Sequence, residues 1–188
     1  MADSVTIRPT TRKRRARVGA VICLSIALAL TSPVAIAHAQ TKWDRYKPGT
    51  LGAIMELHDS TIRAGWDESR TPGEHFSGDD FPTIATVIYN GDSRPLDPIR
   101  LQLLRRWGMA MMRDSSIAQD FHREYLFQEG QRQLWLPVQD VVASYFGKEL
   151  KPGQPVRLFV MFLGAYYAGE EITWAFIVNE FTAGSIKR

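Results

Sequence analysis

FHREYLFQEGQRQLWLPV (121–138), KPGQPVRLFVMFLG (151–164) and EEITWAFIVNEF (170–181) are the stretches that decide the fold. The segment 121–181 that contains them holds 13 of the 20 aromatic residues of the chain, and aromatic residues favour strands. The first stretch predicts a β-hairpin, and the other two predict long strands joined by a loop at 165–171. We expect these strands to supply the core against which the rest of the chain packs.

The hairpin has two chemically different faces, because successive side chains of a strand point to opposite sides. A turn at 129–130 would place Phe127 opposite Arg132 and Tyr125 opposite Leu134. The apolar face, which we expect to be the core side, consists of Tyr125, Phe127, Leu134 and Leu136. The mixed face consists of His122, Glu124, Gln133 and Trp135.

Helix signals surround these strands. A helix over 51–65 would begin at Thr50 as its N-cap. Asp97 followed by Pro98 predicts the start of a second helix that runs to about residue 113, with its arginines Arg100, Arg105 and Arg106 facing solvent. Apolar spacing predicts a third helix over 138–146. A strand at 83–89 is predicted to end in an Asn-Gly turn.

The order of these elements indicates an α+β fold with five strands. Five strands with a helix between the third and fourth resemble the small OB-type barrel. The resemblance covers 83–181 and departs from the OB pattern by placing a helix between the first two strands. A twisted, mostly antiparallel five-stranded sheet with two to three packed helices is the alternative.

The first 39 residues predict a secretory signal peptide. A basic region is followed by an apolar segment at 21–37 and by the small-residue site Ala37-His38-Ala39. Cleavage after Ala39 would send residues 40–188 to the periplasm or outside the cell, and retention as a membrane anchor is the alternative. We expect 40–188 to form one domain, with a helical lead-in at 40–66, an acidic loop at 67–82 and a β-rich core at 83–181.

The charge and cysteine content of the mature chain exclude several classes of function. The leader carries six of the 23 Lys and Arg and one of the 20 Asp and Glu, which leaves 17 bases, 19 acids and a formal charge of −2. The basic excess therefore does not indicate nucleic-acid binding. Cys23, the only cysteine, lies in the leader, so the mature chain has no disulfide or thiolate site. No mature segment approaches the ~20 apolar residues that span a bilayer.

Histidines and acids offer candidates for catalysis, each with a simpler structural explanation. A hydrolase could use His58 or His75, but the chain lacks G-x-S-x-G, H-E-x-x-H and S-x-x-K motifs, so we expect hydrogen-bonded histidines at the edge of the core. The acids around His75 could bind a metal, yet their spacing matches no EF-hand, and we predict neither metal nor cofactor. We expect Glu124 and Glu180 to be surface acids rather than a glycosidase pair.

The mixed hairpin face is the predicted ligand surface, because a Trp beside polar side chains on a sheet is how small barrels present one. Tyr166 and Tyr167, expected on the 165–171 loop, extend it. Coverage of Trp135 by a helix is the alternative. The sequence therefore favours a secreted or periplasmic, non-catalytic protein that binds an envelope protein, a peptide or a small ligand. A periplasmic hydrolase is the alternative function, and the oligomeric state stays open.

Overall fold

The computed structural model describes residues 43–79 and 81–184. The predicted signal peptide lies outside these residues. Three helices and seven strands follow one another along the described chain. Their bounds are β1 Lys47–Gly49, α1 Leu51–Ser69, β2 Gly73–Phe76, β3 Thr83–Pro95, α2 Pro98–Trp107, β4 Arg123–Glu129, β5 Arg132–Val138, α3 Asp140–Glu149, β6 Gln154–Ala168 and β7 Glu171–Ala183. A π-helical turn, Gly108–Met112, continues α2, and a 3₁₀ turn, Ser116–Asp120, precedes β4.

The strands form one mixed sheet in the order β1-β3-β4-β5-β7-β6-β2. An additional antiparallel pairing of β3 with β6 bends five of them, β3-β4-β5-β7-β6, into a partial ring. The α+β prediction is confirmed. The count of five strands was wrong, because β1 and β2 are only three and four residues long and carry no β-type pattern.

The ring is incomplete between β5 and β7. These two strands pair in parallel at a single position, Val138 with Val178, where the Gln139 N–H donates to the Val178 carbonyl at 3.2 Å. Towards the β4–β5 turn they pair no further. We call this unpaired stretch, between 132–137 of β5 and 171–177 of β7, the β5–β7 cleft.

The hairpin register differs from the prediction by two residues. The turn is Gly130–Gln131, so Glu129 lies opposite Arg132 and Phe127 opposite Leu134. Gly130 has φ +58°, as the first central residue of a type II′ turn requires, and glycine adopts this conformation at little cost. A two-residue shift keeps every side chain on its face, and the predicted core side is confirmed.

The prediction of a loop at 165–171 was wrong, because most of this segment belongs to strand β6. β6 continues to Ala168, and a second tight turn at 169–170, with Gly169 at φ +68°, leads into β7. Both tyrosines therefore belong to a strand. Tyrosine favours strands, and only the two turn residues are needed to reverse the chain.

Helix α1 is held at its start by two caps. The Thr50 hydroxyl accepts from the Ala53 N–H at 3.1 Å, as predicted, and the Glu129 carboxylate accepts from the Leu51 and Gly52 N–H groups at 2.8 Å each. The β4–β5 turn is thereby fixed to the helix. α1 extends beyond Gly65 and ends at Ser69, with Arg70 as its C-cap, so the segment predicted as an acidic loop contains the last turn of α1 and all of β2.

The other two helices begin near the predicted positions. The Asp97 carboxylate accepts from the Ile99 and Arg100 N–H groups at 2.9 and 3.1 Å, which confirms the predicted N-cap of α2. α3 starts later than predicted, because Val138 remains in β5. None of the described helices is long and apolar enough to cross a membrane.

Two apolar clusters bury the sheet. One fills the ring, with Phe127, Phe146, Phe162 and Phe176 almost fully buried. The other lies under α2, where Leu103 and Trp107 pack on Leu163 and Ile177. The apolar sequence of β6 is thus explained, since the strand contributes side chains to both clusters. Each large side chain buried here contributes about 1.5–3 kcal/mol to stability.

Candidate functional site

The β5–β7 cleft opens into two adjoining cavities of about 220 and 300 Å³, both lined by Met55 and Trp174. Trp135 of β5 and Trp174 of β7 lie on its opposite sides. Gln133 and Arg100 add polar groups to the smaller cavity. The cleft therefore combines two indole rings with a few hydrogen-bonding groups, as ligand sites commonly do.

Proline explains why β5 pairs with β7 over so short a length. In a hairpin with a two-residue loop, the residues that flank the loop form a hydrogen-bonded pair, and such pairs alternate with non-bonded ones. Pro137 therefore turns its nitrogen away from β4, towards β7. Because this nitrogen carries no hydrogen, the edge of β5 loses a donor where the ladder would continue.

Glu124 is fully buried, and the prediction of a surface acid was wrong. Its carboxylate accepts from Arg94 and from Arg100, whose Nη1 lies 3.0 Å from Oε2. Glu124 lies on the mixed face of the hairpin, but Arg94 of β3 and Arg100 of α2 cover that face where Glu124 lies. The expected solvent-facing position of Arg100 was wrong for the same reason, since only 16% of its side chain is exposed. A buried carboxylate needs such partners.

Each of the two arginines also contacts one tryptophan of the cleft. The Arg94 guanidinium carbon lies 4.2 Å from the centre of the Trp135 ring, and the Arg100 Nε donates to the Trp174 carbonyl at 3.1 Å. Glu124 therefore anchors the groups that hold the two sides of the cleft. The guanidinium, rather than a helix, covers one face of Trp135.

His122 does not line the cleft. Its ring nitrogen Nδ1 lies 2.5 Å from the Asp140 Oδ2, and its backbone N–H donates to Asp140 at 3.2 Å. The side chain is 72% exposed and connects the start of β4 to the start of α3. Of the mixed face, only Gln133 and Trp135 reach the cleft directly.

Tyr166 and Tyr167 point to opposite sides of β6 and are half-buried. Tyr166 packs on the cluster under α2. Tyr167 lines a separate cavity of about 590 Å³ together with Ser60, Glu68, Glu74 and His75. The structure does not bring either tyrosine to Trp135. With His122 at Asp140, the predicted ligand surface is divided among four places.

His58 and His75 meet beside that separate cavity. Nε2 of His75 lies 3.2 Å from Nδ1 of His58, whose ring packs against Phe81 and Phe162. Burial lowers the pKa of both imidazoles, and the proximity of His75 lowers the pKa of His58 further. The Nε2 of His58 is buried and has no hydrogen-bond partner. The expectation of histidines at the edge of the core is confirmed.

The histidine pair lacks the partners of a catalytic triad. Within 43–79 and 81–184, neither imidazole hydrogen-bonds a hydroxyl or a carboxylate, and no three His, Cys, Asp or Glu side chains are placed to hold a metal ion together. Glu74 binds Arg106 at 2.8 Å and Gln102 at 3.0 Å, which fixes β2 to α2. The described chain therefore offers paired imidazoles without an activated nucleophile.

Sequence reasoning missed Trp174 and Arg94 as site residues. Trp174 belongs to the strand predicted at 170–181, but nothing local showed that this strand faces β5. Arg94 lies beyond Gly91, where a turn was predicted. There β3 instead continues past an irregularity in its pairing with β4, between Tyr89 and Ser93. Gly91 was the available signal, because a glycine within a strand can mark a bulge after which the strand continues.

Comparison with known proteins identifies no relative. No protein-family model, curated protein sequence or solved structure is detectably similar to this chain. Any functional conclusion must therefore come from the site itself.

Proposed function

We propose that this is a secreted or periplasmic, non-catalytic binding or assembly protein that holds its ligand in the β5–β7 cleft. The observation that carries the proposal is the unpaired seam in the ring of strands, with Trp135 and Trp174 on its two sides. Aromatic side chains at a partly open cleft give a large contact area at low entropic cost.

The strand order supports an OB-like arrangement within the α+β fold. The order of pairings β3-β4-β5-β7-β6 supports the likeness to a five-stranded, partly open OB barrel. So do the antiparallel contact between β3 and β6 and the parallel contact between β5 and β7. In such barrels the second and third strands, here β4 and β5, carry the ligand face. A fold does not determine a function, so this likeness supports the location of the site and not the ligand.

The fixed positions of the cleft's sides also favour binding. Arg94 holds Trp135 through its ring face, and Arg100 holds the backbone of Trp174. Both arginines are themselves held by Glu124. A site whose groups are already ordered loses less entropy when the ligand arrives.

Native mass spectrometry of the protein purified gently from its own host tests the proposal. The wild type should carry an added mass of hundreds of daltons for a small ligand or thousands for a peptide or partner. Trp174→Ala should lose this mass. Tyr145→Ala, which removes a 47% exposed aromatic on α3 that lines neither cavity of the cleft, should keep it. A bare wild type, or an equal adduct on all three proteins, contradicts the proposal.

Trp135→Ala separates binding from folding. The variant should weaken binding while leaving the melting temperature close to that of the wild type, because the ring is only half-buried and packs against a partly exposed arginine. A stability loss of ~3–5 kcal/mol, typical of a buried aromatic, would place Trp135 in the core and contradict its role as a ligand contact.

A periplasmic hydrolase that uses His58 and His75 is the second candidate. The observation in its favour is the imidazole pair beside a cavity that also contains Ser60 and Glu68. A panel of ester, peptide and glycoside substrates would test it. Activity that disappears in His75→Ala supports the hydrolase, and indifference to that substitution and to chelation rules it out.

A further inference from the structure

We propose that the ligand is an extended peptide segment that adds to the free edge of β5 as an extra β-strand. This inference rests on the proposed function and names the class of its ligand. Unpaired strand edges readily accept another strand, and main-chain hydrogen bonds supply much of the affinity in such complexes.

The backbone of β5 carries free hydrogen-bonding groups that face the cleft. Glu129 and Arg132 flank a two-residue turn, so Arg132, Leu134 and Leu136 bond to β4. The N–H and C=O groups of Gln133 and Trp135 then point the other way, towards β7. Since β5 and β7 pair only at Val138 and Val178, no strand in the described chain meets these four groups.

The facing edge of β7 is also unpaired with any other strand of the described chain, although one of its carbonyls already accepts from Arg100. Arg100 reaches the Trp174 carbonyl from outside the sheet, which shows that this carbonyl points away from β6 and into the cleft. Because backbone groups alternate between the two edges of a strand, the N–H and C=O groups of Ile172 and Phe176 also point away from β6 and into the cleft. An entering strand would therefore find free donors and acceptors along β5, and along β7 on either side of the occupied Trp174 carbonyl.

The cavity beside the edge has room for an apolar side chain. Met55, Leu134, Trp174 and Phe176 line the space of about 220 Å³ next to Trp135. Side chains of an added strand alternate between its faces, so every second residue would point inwards. The recognised segment should therefore have a bulky apolar residue at the centre, flanked by residues that face solvent.

A peptide fits the cleft better than a sugar does. Sugars are commonly held by stacking on an open aromatic face, but Arg94 covers one face of Trp135. A sugar would also leave the regularly spaced N–H and C=O groups of Gln133 and Trp135 without matching partners. Another backbone matches their spacing directly.

Selection from a displayed library of random linear 12-residue peptides, with a glycan array probed in parallel, tests the inference. The wild type and Tyr145→Ala should both enrich peptides with alternating apolar residues. The best peptide, made synthetically, should bind Trp174→Ala at least about tenfold more weakly. N-methylation of a single backbone amide that faces β5 should also weaken binding about tenfold, while methylation of the next amide should have less effect.

The outcomes separate the two proposals. Glycan binding that requires Trp174, without any peptide enrichment, would keep the proposed function and overturn the peptide inference. Enriched peptides that bind Trp174→Ala as well as the wild type, or that tolerate N-methylation at every position, would also overturn it. No enrichment on either platform contradicts the peptide inference, and native mass spectrometry then decides the fate of the proposed function independently.

Discussion

A single residue, Glu124, holds the two sides of the cleft together through its two arginine partners. It is fully buried and binds one arginine that stacks on Trp135 and another that reaches Trp174. Removing one member of a buried ion pair costs several kcal/mol, because the remaining charge loses its partner. The residue is therefore a positioning residue for the proposed site.

Glu124→Gln should lower the free energy of unfolding by about 3 kcal/mol. Arg100 would keep its charge while only 16% of its side chain is exposed, and Arg94, at 44% exposed, would be partly solvated. Urea unfolding measures the loss. Glu149→Gln, on the exposed end of α3, is the matched control and should change stability by less than about 0.5 kcal/mol. Equal effects of the two substitutions would contradict the role given to Glu124.

The pair of His58 and His75 predicts a loss of stability in mild acid. The pKa of each imidazole is lowered in the fold, so the unfolded chain binds protons first as the pH falls. The free energy of unfolding should be constant above about pH 6.5, the ordinary histidine value, and should fall as the pH drops from there through the lowered pKa values.

Urea unfolding between pH 7.5 and pH 4.5 measures this dependence. His75→Gln should make the free energy of unfolding depend less on pH. The substitution removes one titrating ring and the repulsion that would arise between two charged rings. His122→Gln, which changes an exposed ring at the start of β4, should keep the wild-type acid sensitivity that comes from the pair. An unchanged slope in His75→Gln would show that the pair does not cause the acid dependence.

At the scale of elements, the β4–β5 turn and α1 stabilise each other. Glu129→Ala removes a carboxylate that caps two N–H groups of α1 and should cost about 1–2 kcal/mol in thermal or urea unfolding. Gln131→Ala, in the exposed part of the same turn, should cost less than about 0.5 kcal/mol. A loss as small as that of the control would mean that the turn and the helix are not coupled.

Local signals in the sequence predicted many elements correctly. Thr50 and Asp97 cap their helices as expected, because capping depends only on neighbouring residues. The faces of the hairpin followed from alternation, even though the turn was misplaced by two residues. The burial of Glu124 could not be predicted in this way, because it depends on Arg94 and Arg100, which lie 30 and 24 residues away.

The candidate site was predictable on one of its sides only. Gln133 and Trp135 were identified because a Trp beside polar side chains on a strand is visible in the sequence. Trp174 lies 39 residues further along the chain and comes near Trp135 only through the order in which the strands pair. That order is decided by tertiary contacts such as the single Val138–Val178 pair, for which no local pattern exists.

At the scale of the whole molecule, the partial ring places its one weak seam next to its proposed site. Antiparallel ladders join β3 to β4, β4 to β5, β6 to β7 and β3 to β6 over several residue pairs each. The parallel β5–β7 contact consists of one pair. The proposed function requires that this seam be open and available to a ligand.

Amide hydrogen exchange, followed by NMR for each residue of the ligand-free protein, measures whether the seam is open. The N–H groups of Leu134 and Leu136 bond to β4 and should exchange slowly. Those of Gln133 and Trp135 face the cleft without a partner and should exchange faster by orders of magnitude, becoming protected when a selected peptide is added. If Gln133 and Trp135 are as protected as Leu134 and Leu136 before any ligand is present, the seam is closed and the β5–β7 cleft cannot be the binding site.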